Sequence, residues 1–444
     1  MNATPRMASL ALFAALGLIG LNAAPLAAQD AGAGGSQQKY TMPEYNAWQA
    51  ASAEKNPAAQ LKLLDDFVAK YPNSALLNYI YPLYFQNYAV QKNYPKVIEN
   101  ANKQLALGSK LTPTERYQAY SAIAFAFNNT PNPDVATAKA AYQAALEGAK
   151  SVDSLPKPEG YDDAKFSEEK KKTVLGFNAT AASAAMAAKD YPAAVEAYKT
   201  ILATSPDDFV ANYYLGRAYS SLTPPQTLDA LWHYARAATS KNANEKQSKQ
   251  VKDYLRSNAI PKYQGGTVCD SLTDAELNEL LQLASTSADR PASYKLYSAA
   301  DLDAARKDMN IASVVADLKA GGDKAKLTWT AACGLEFPDT PGKVIEVVPG
   351  PDTIGLKLAF YTSEAEFNAA TTPNMDVKIK TADQPEAAKL QKDDSIRFTG
   401  TLESYEPDPA FMLHFDKAKV NEEDLPKDKG AKKPAAKKPT PKKP

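Results

Sequence analysis

Two stretches of this chain repeat one another, Lys92-Asn93-Tyr94-Pro95-Lys96-Val97-Ile98-Glu99 and Lys189-Asp190-Tyr191-Pro192-Ala193-Ala194-Val195-Glu196, and a weaker copy stands at Lys55-Asn56-Pro57-Ala58-Ala59. In each copy an Asn or Asp comes shortly before Pro. This combination ends one helix and begins the next, because Pro is tolerated in a first helical turn. The stretches therefore predict helix–turn–helix units. A single unit cannot cover its own apolar face, so we expect neighbouring units to stack on one another.

The residues that follow the second copy continue as an amphipathic helix. Apolar residues recur at helical spacing, at Ala194, Ala197, Tyr198, Ile201 and Leu202. The pattern stops at Pro206, because Pro cannot continue a helix. Patterns of this kind follow one another over residues 42–262, so this region is predicted to be α-helical throughout.

The best-defined unit has the first helix Ala211-Asn212-Tyr213-Tyr214-Leu215-Gly216-Arg217-Ala218-Tyr219, followed by Ala230, Tyr234 and Ala237. These residues resemble the tetratricopeptide repeat, a helix–turn–helix unit of about 34 residues. In that family a Leu-Gly-x-x-Tyr motif lies in the first helix, and small and aromatic residues alternate in the second. The resemblance implies a tetratricopeptide-type α-solenoid of about five units over residues 42–262.

The same resemblance implies where a partner would bind. In this family the residues that face a ligand come mainly from the first helix of each unit, which implicates Tyr79, Tyr213 and Arg217 as partner-binding residues. Tyr and Arg are also side chains that contribute strongly to the energy of protein interfaces. Ordinary core packing or surface placement is the alternative for each of the three.

Residues 263–338 are interpreted as a connecting helical segment. Thr273 and Glu276 have the spacing of a capping box, which predicts a helix start at Thr273. Two further helices are predicted after it, one opening at Ser298 and Asp301 and one over Ala312–Leu318.

From residue 339 the apolar pattern changes from helical to alternating. Five strands are predicted, at Val344–Val348, Ile354–Tyr361, Val377–Ile379, Ser395–Leu402 and Phe411–Phe415. With a short helical turn at Glu386–Leu390, they favour a small closed barrel over residues 339–422. The run from Lys389 to Leu402 is similar to a segment of OB-fold domains of the anticodon-binding-like type, which implies a small all-β OB-like barrel.

The two ends of the chain have compositions of their own. Residues 1–28 have the order of a secretory signal peptide, with Arg6 before an apolar stretch and a run of small residues at its end. Cleavage near Ala28 predicts a periplasmic or secreted protein, and an uncleaved membrane anchor is the alternative. Residues 29–41 predict a flexible linker, and the Lys- and Pro-rich residues 423–444 predict a disordered tail.

The net charge of the chain is zero, with 51 Lys and Arg against 51 Asp and Glu, but the charge is unevenly distributed. The stretch 427–444 holds eight Lys and one Asp, so it carries +7 and the rest of the chain carries −7. Such a tail can bind anionic envelope polymers or lipid head groups through charge alone, or it can act only to keep the protein soluble. Nucleic acid is not an expected partner of an exported chain.

No pattern of catalytic or metal-binding residues stands out in the sequence. The chain has two His, His233 and His414, and we expect both to be structural, because a metal site or a Ser–His pair needs several converging groups. We therefore expect no catalytic residue, metal or cofactor, and no enzyme. The two cysteines, Cys269 and Cys333, are either a disulfide, which an oxidising compartment permits, or two buried thiols.

These patterns together predict a non-enzymatic scaffold of the cell envelope. Its tetratricopeptide groove is expected to bind envelope proteins. The alternative is a protein that binds an envelope polysaccharide or another small ligand through the OB-like barrel.

Overall fold

The computed structural model describes residues 40–266, 269–407 and 410–426. The predicted signal peptide, most of the predicted linker and residues 427–444 of the predicted tail lie outside the described residues. Residues 423–426 of that tail are described, and Asp424 pairs with Arg397 at 3.1 Å. The chain forms two compact units, and the division between them falls after Ser248. The predicted order of helices first and a small barrel last is confirmed.

The first unit consists of consecutive helices joined by short connections. They are α1 (Met42–Ala53), α2 (Pro57–Lys70), α3 (Leu77–Val90), α4 (Tyr94–Leu105), α5 (Pro113–Asn129), α6 (Val135–Ser151), α7 (Asp163–Ala187), α8 (Tyr191–Thr204), α9 (Phe209–Ser220), α10 (Thr227–Thr239) and the start of α11 (Glu245–Tyr254). From α1 to α10, each helix packs against the next one along the chain. The first members of successive pairs also pack together, α3 against α5 and α5 against α7.

The two repeated sequence stretches form the same turn. Lys92 and Lys189 both have a φ of 58°, in the left-handed region. The backbone N–H of Asn93 and that of Asp190 each donate to the carbonyl five residues earlier, at 2.8 and 2.9 Å. The side chains of Asn93 and Asp190 then cap α4 and α8. Asn56 caps α2 in the same way, but no left-handed residue precedes it, in keeping with its weaker sequence match.

Glycine allows close contact between two of these helices. A Cβ atom added at Gly148 of α6 would lie 2.4 Å from the ring of Phe177 in α7. Phe177 is fully buried, so the ring has no free space into which it could move. A side chain at position 148 would therefore push α6 and α7 apart.

The second unit begins with further helices. They are the rest of α11, a π-helical turn (Leu255–Ala259), α12 (Ile260–Tyr263), α13 (Asp270–Thr286), α14 (Ala299–Arg306), α15 (Ile311–Ala320) and α16 (Gly322–Ala332). The predicted helix start at Ser298 and Asp301 is confirmed, and the two side chains form a capping box at the start of α14. Helix α16 was not predicted, because Gly321-Gly322 in the sequence indicates the end of a helix and not the beginning of another.

The predicted capping box at Thr273 is wrong. Helix α13 begins one turn earlier, with Cys269 as its N-cap residue. Thr273 and Glu276 are both buried within the helix, and the Thr273 hydroxyl donates to the Cys269 carbonyl at 3.3 Å. The three-residue spacing of Thr273 and Glu276 therefore reflects two side chains on one buried face of the helix, and not a helix start.

A closed five-stranded barrel completes the second unit. Its elements are β1 (Glu336–Val348), β2 (Thr353–Ala359), α17 (Glu364–Ala369), β3 (Met375–Lys380), a 3₁₀ turn (Pro385–Lys389), β4 (Ser395–Glu406) and β5 (Met412–Val420). The strand order around the barrel is β1-β2-β3-β5-β4, with β3 and β5 parallel and the other pairs antiparallel. Strand β1 begins at Glu336, inside the segment 263–338 that the sequence predicted to be helical. Alternate residues fill the barrel core, among them Ile354, Leu356, Leu358, Val377, Ile379, Phe398, Leu402, Leu413 and Phe415.

Cys269 and Cys333 form a disulfide, with their Cα atoms 5.6 Å apart. Cys269 precedes α13, and Cys333 follows α16 and is fully buried beside β4, where its sulfur atom lies 3.8 Å from the carbonyl oxygen of Glu403. The bond therefore ties the start of α13 to the wall of the barrel.

Removing this bond should destabilise the second unit. The disulfide closes a loop between residues 64 apart, for which chain entropy predicts about 4 kcal/mol of stabilisation. We expect the double variant Cys269→Ser/Cys333→Ser to lower the free energy of unfolding by up to that amount in urea titrations followed by circular dichroism. Reduction of the unaltered protein should reproduce the loss, and equal stability of oxidised and reduced protein would contradict this account.

Candidate partner-binding surface

The hairpin of α9 and α10 carries two of the three predicted partner-binding residues, and a glycine brings its helices together. A Cβ atom at Gly216 would lie 3.0 Å from the Ala230 carbonyl oxygen and 3.0 Å from the Tyr234 ring. The backbone of α9 therefore lies directly against α10. This contact fixes the direction in which the outward residues of α9 point.

Buried polar side chains hold the turn that leads into α9. The Asn212 side-chain amide donates to the carbonyls of Pro206 and Asp208, at 3.1 and 3.0 Å. His233 Nδ1 lies 3.0 Å from Asn212 Oδ1, and since that oxygen can only accept, Nδ1 carries the proton. Arg236 donates to the Pro206 carbonyl at 2.8 Å. His233 thus takes part in fixing the N-terminal end of α9.

Tyr213 lies half-buried in a group of aromatic rings. It stacks on Phe209 at a centroid distance of 6.1 Å and meets the edges of Tyr214 and Tyr234 at 5.3 and 5.7 Å. Contacts on three sides restrict the ring to few conformations. A partner that binds to its exposed part would therefore find it already ordered.

Arg217 lies one helical turn beyond Tyr213 and is exposed. Its guanidinium group lies 5.3 Å from the centroid of the Tyr214 ring, within the range of a cation–π contact. Burial raises the pKa of Tyr214, and the positive charge of Arg217 partly opposes this rise. The charge of Arg217 is thus held over an aromatic ring while the side chain remains accessible.

Tyr79 lies in a different group, on α3. It is half-buried, packs against the core formed by α1 to α3, and meets the edge of Trp48 at 6.1 Å. Tyr213 and Arg217 are neighbours on one helix, and Tyr79 belongs to the contact between α1 and α3. The structure therefore brings two of the three residues together and gives the third a packing contact.

The first helices of successive pairs are linked along the unit. Trp48 of α1 contacts Tyr79 of α3, Asn78 of α3 donates to Glu115 of α5 at 2.6 Å, and Asn128 of α5 donates to Thr180 of α7 at 3.0 Å. We call α1, α3, α5 and α7 the first-helix layer. Helix α9 is the first helix of the next pair.

Sequence reasoning missed Phe209 as a member of the candidate surface. Phe209 lies four residues before Tyr213, and Arg217 lies four residues after it. Residues at this spacing share one face of a helix, so the regular spacing could have indicated all three.

The barrel carries a row of charged side chains across neighbouring strands. Lys357 on β2 pairs with Asp376 on β3 at 3.1 Å. His414 on β5 has Nδ1 3.3 Å from Asp376 and Nε2 3.2 Å from Glu406 on β4. Among the residues that the structure describes, no three His, Cys, Asp or Glu side chains form a group that could hold a metal ion.

A group of half-buried rings lies at the hairpin between β4 and β5. Trp329 of α16 packs on Tyr405 at a centroid distance of 4.9 Å, and Tyr405 lies 6.5 Å from Phe411. The ammonium group of Lys319 lies 5.1 Å from the centroid of the Phe411 ring. We call Trp329, Tyr405 and Phe411 the barrel ring group.

Comparison with known proteins gives no further indication of function. No family model, no curated protein and no solved structure matches the chain. Within residues 40–266, 269–407 and 410–426, no helix has the length and apolar character needed to cross a membrane.

The close contact at Gly216 can be tested by adding one methyl group. We expect Gly216→Ala to lower the free energy of unfolding by about 1–3 kcal/mol in urea titrations, because the new Cβ would lie 3.0 Å from the Ala230 carbonyl oxygen and α10 would have to shift to make room for it. Lys139→Ala, an exposed change on α6, should stay within about 0.5 kcal/mol of the unaltered protein. If Gly216→Ala were the more stable of the two, helix propensity would outweigh the contact and our interpretation would be wrong.

Proposed function

We propose that the first unit is a tetratricopeptide-like array that acts as a non-enzymatic scaffold and binds protein partners on the face carried by its first helices. The observation that carries the proposal is the pairing of Tyr213 and Arg217 on α9. One is an ordered aromatic ring and the other an exposed cation, and they lie one helical turn apart. The first-helix layer supports the proposal, because a stack of such units requires contact between its first helices, and such contacts run from α1 to α7.

The chemistry of the two side chains suits an interface. Tyr and Arg are enriched among residues whose truncation costs most of the binding energy. The aromatic contacts of Tyr213 reduce the conformational entropy lost on binding. The guanidinium group of Arg217 can form paired hydrogen bonds with a carboxylate, so an acidic side chain of the partner is its best match.

The same proposal places the protein in the cell envelope. Its support is the signal-peptide pattern of residues 1–28, and envelope proteins are accordingly the proposed partners. The Lys-rich tail would add contact with anionic envelope polymers or lipid head groups by charge. Cell fractionation and sequencing of the mature N-terminus test this placement, and a full-length cytoplasmic chain would contradict it.

We further propose that the barrel is of the OB type. The strand order β1-β2-β3-β5-β4 and the 3₁₀ turn between β3 and β4 support this assignment. The order was not derivable from the strand pattern alone, which indicated a small closed barrel without saying which strands are neighbours.

Capture of partners from intact cells tests the scaffold function. The tagged full-length chain is cross-linked in its own cells, and the bound proteins are identified by mass spectrometry. We expect Tyr213→Ala/Arg217→Ala to reduce the captured partner about tenfold or more, which corresponds to the loss of at least one strong interface contact.

The matched control is Lys139→Ala. It removes an exposed cation from α6, which is the second helix of its pair and lies outside the proposed surface. It should capture the same partners as the unaltered chain. Circular dichroism of both variants checks that the helices remain folded. Undiminished capture by the Tyr213/Arg217 variant, with its helices intact, would refute the proposed surface.

The barrel ring group favours a second candidate function, the binding of an envelope polysaccharide or another small ligand. Three half-buried rings beside a cation offer flat apolar surface together with a polar contact, a combination common in ligand sites.

The fluorescence of Trp329 tests this second function, since it should change saturably when cell-wall oligosaccharides are added to the full chain. We expect Trp329→Ala to lose this response and Trp48→Phe, in the first unit, to keep it. No saturable change in the unaltered protein would exclude these ligands.

A further inference from the structure

A carboxyl group and an amide are buried together between α12 and α13. Glu276 is 3 % exposed and Gln264 is fully buried. Gln264 Nε2 donates to both carboxyl oxygens of Glu276, at 3.0 and 2.8 Å. Among the described residues no donor reaches Gln264 Oε1, which is itself buried.

Few charges are available to balance an ionised Glu276. The cation that acts on it is Lys326 of α16, which is already paired with Glu279 of α13 at 2.8 Å. The phenol of Tyr294, in the connection after α13, also faces the carboxyl group, and Arg290 and Tyr263 lie near that phenol.

Burial is the main reason that the pKa of Glu276 rises to about 7. The hydrogen bond from Gln264 and the charge of Lys326 oppose the rise, and Glu279 adds to it.

The hydrogen-bonding capacity of the pair suits the protonated acid better than the ion. An ionised carboxylate can only accept, so it satisfies Gln264 Nε2 and leaves Gln264 Oε1 without a donor. A protonated carboxyl group has an O–H that can donate. After a partial rotation of the Gln264 amide, that O–H can bond Oε1 while Nε2 bonds the other carboxyl oxygen. Both polar ends of the amide are then satisfied, as buried polar groups normally are.

We propose that Glu276 and Gln264 form a buried proton-binding site that fastens the end of α12 to α13 when it holds a proton and loosens this contact when it loses it. The site joins two helices of the second unit, and it is independent of the proposed partner surface. It would make the local stability of this unit depend on the pH of its surroundings.

The sign of the dependence follows from the direction of the pKa shift. The pKa of Glu276 is higher in the folded protein than the value of about 4.3 for an exposed Glu. The folded form therefore binds the proton more tightly, and this stabilisation is complete below about pH 4.3. It is lost progressively as the pH rises to about 7, and the loss is complete above that value.

Titration of the full chain by NMR tests the site directly. With ¹³C-labelled glutamate carboxyl groups, one signal should have a titration midpoint near pH 7, well above the midpoints of the exposed glutamates. That signal should be missing in Glu276→Gln. If every glutamate of the unaltered chain titrates below pH 5, the proposal fails.

Hydrogen exchange measured by mass spectrometry tests the fastening. Peptides that cover Gln264 and α13 should lose roughly 50- to 100-fold of protection between pH 5 and pH 8, after correction for the intrinsic exchange rate. Glu276→Gln, which cannot ionise, should remove most of this change. Glu279→Gln, which removes a half-exposed carboxylate three residues further along α13, should keep a pH dependence of the same sign, moved to lower pH because the charge of Glu279 adds to the rise of the Glu276 pKa. The same pH dependence in unaltered chain and Glu276→Gln would overturn the proposal.

Discussion

Close contact between helix backbones is the constraint on which the first unit depends. At Gly148 a single added carbon would collide with the buried ring of Phe177, and at Gly216 it would lie only 3.0 Å from the backbone of α10. Such contacts bring apolar faces together without gaps, as tightly packed interiors require. Each helix is then held by the one before it and the one after it. The direction of outward residues such as Tyr213 and Arg217 is a consequence of this packing.

Features set by neighbouring residues could be predicted from the sequence, because caps, turns and apolar periods are local. The turns at Lys92 and Lys189 are of this kind, and so is the change from helices to a barrel. Tyr213 and Arg217 could be picked out as neighbours on one helix, since residues four apart share a face. The contacts of Tyr213 with Phe209 and Tyr234 could be recognised only in the folded structure.

Features set by distant residues could not be predicted. The spacing of Thr273 and Glu276 resembles a helix start, but Gln264 lies against Glu276 and makes both residues part of a buried face. Tyr79 has the residue type and helix position of a partner-binding residue. Its half-buried contact with Trp48 depends on how α1 packs, which no local pattern records.

The two matching turns at Lys92 and Lys189 have a consequence for how the length of the array can change. Each joins its helices through one left-handed residue followed by a capping Asn or Asp, so both ends of the intervening block have the same geometry. Unequal crossing-over between the two gene segments would splice helix α3 directly to helix α8, or insert a second copy of the block, with every cap intact. The encoded protein could thereby gain or lose whole hairpins during evolution while each junction remained a turn that already exists in the chain.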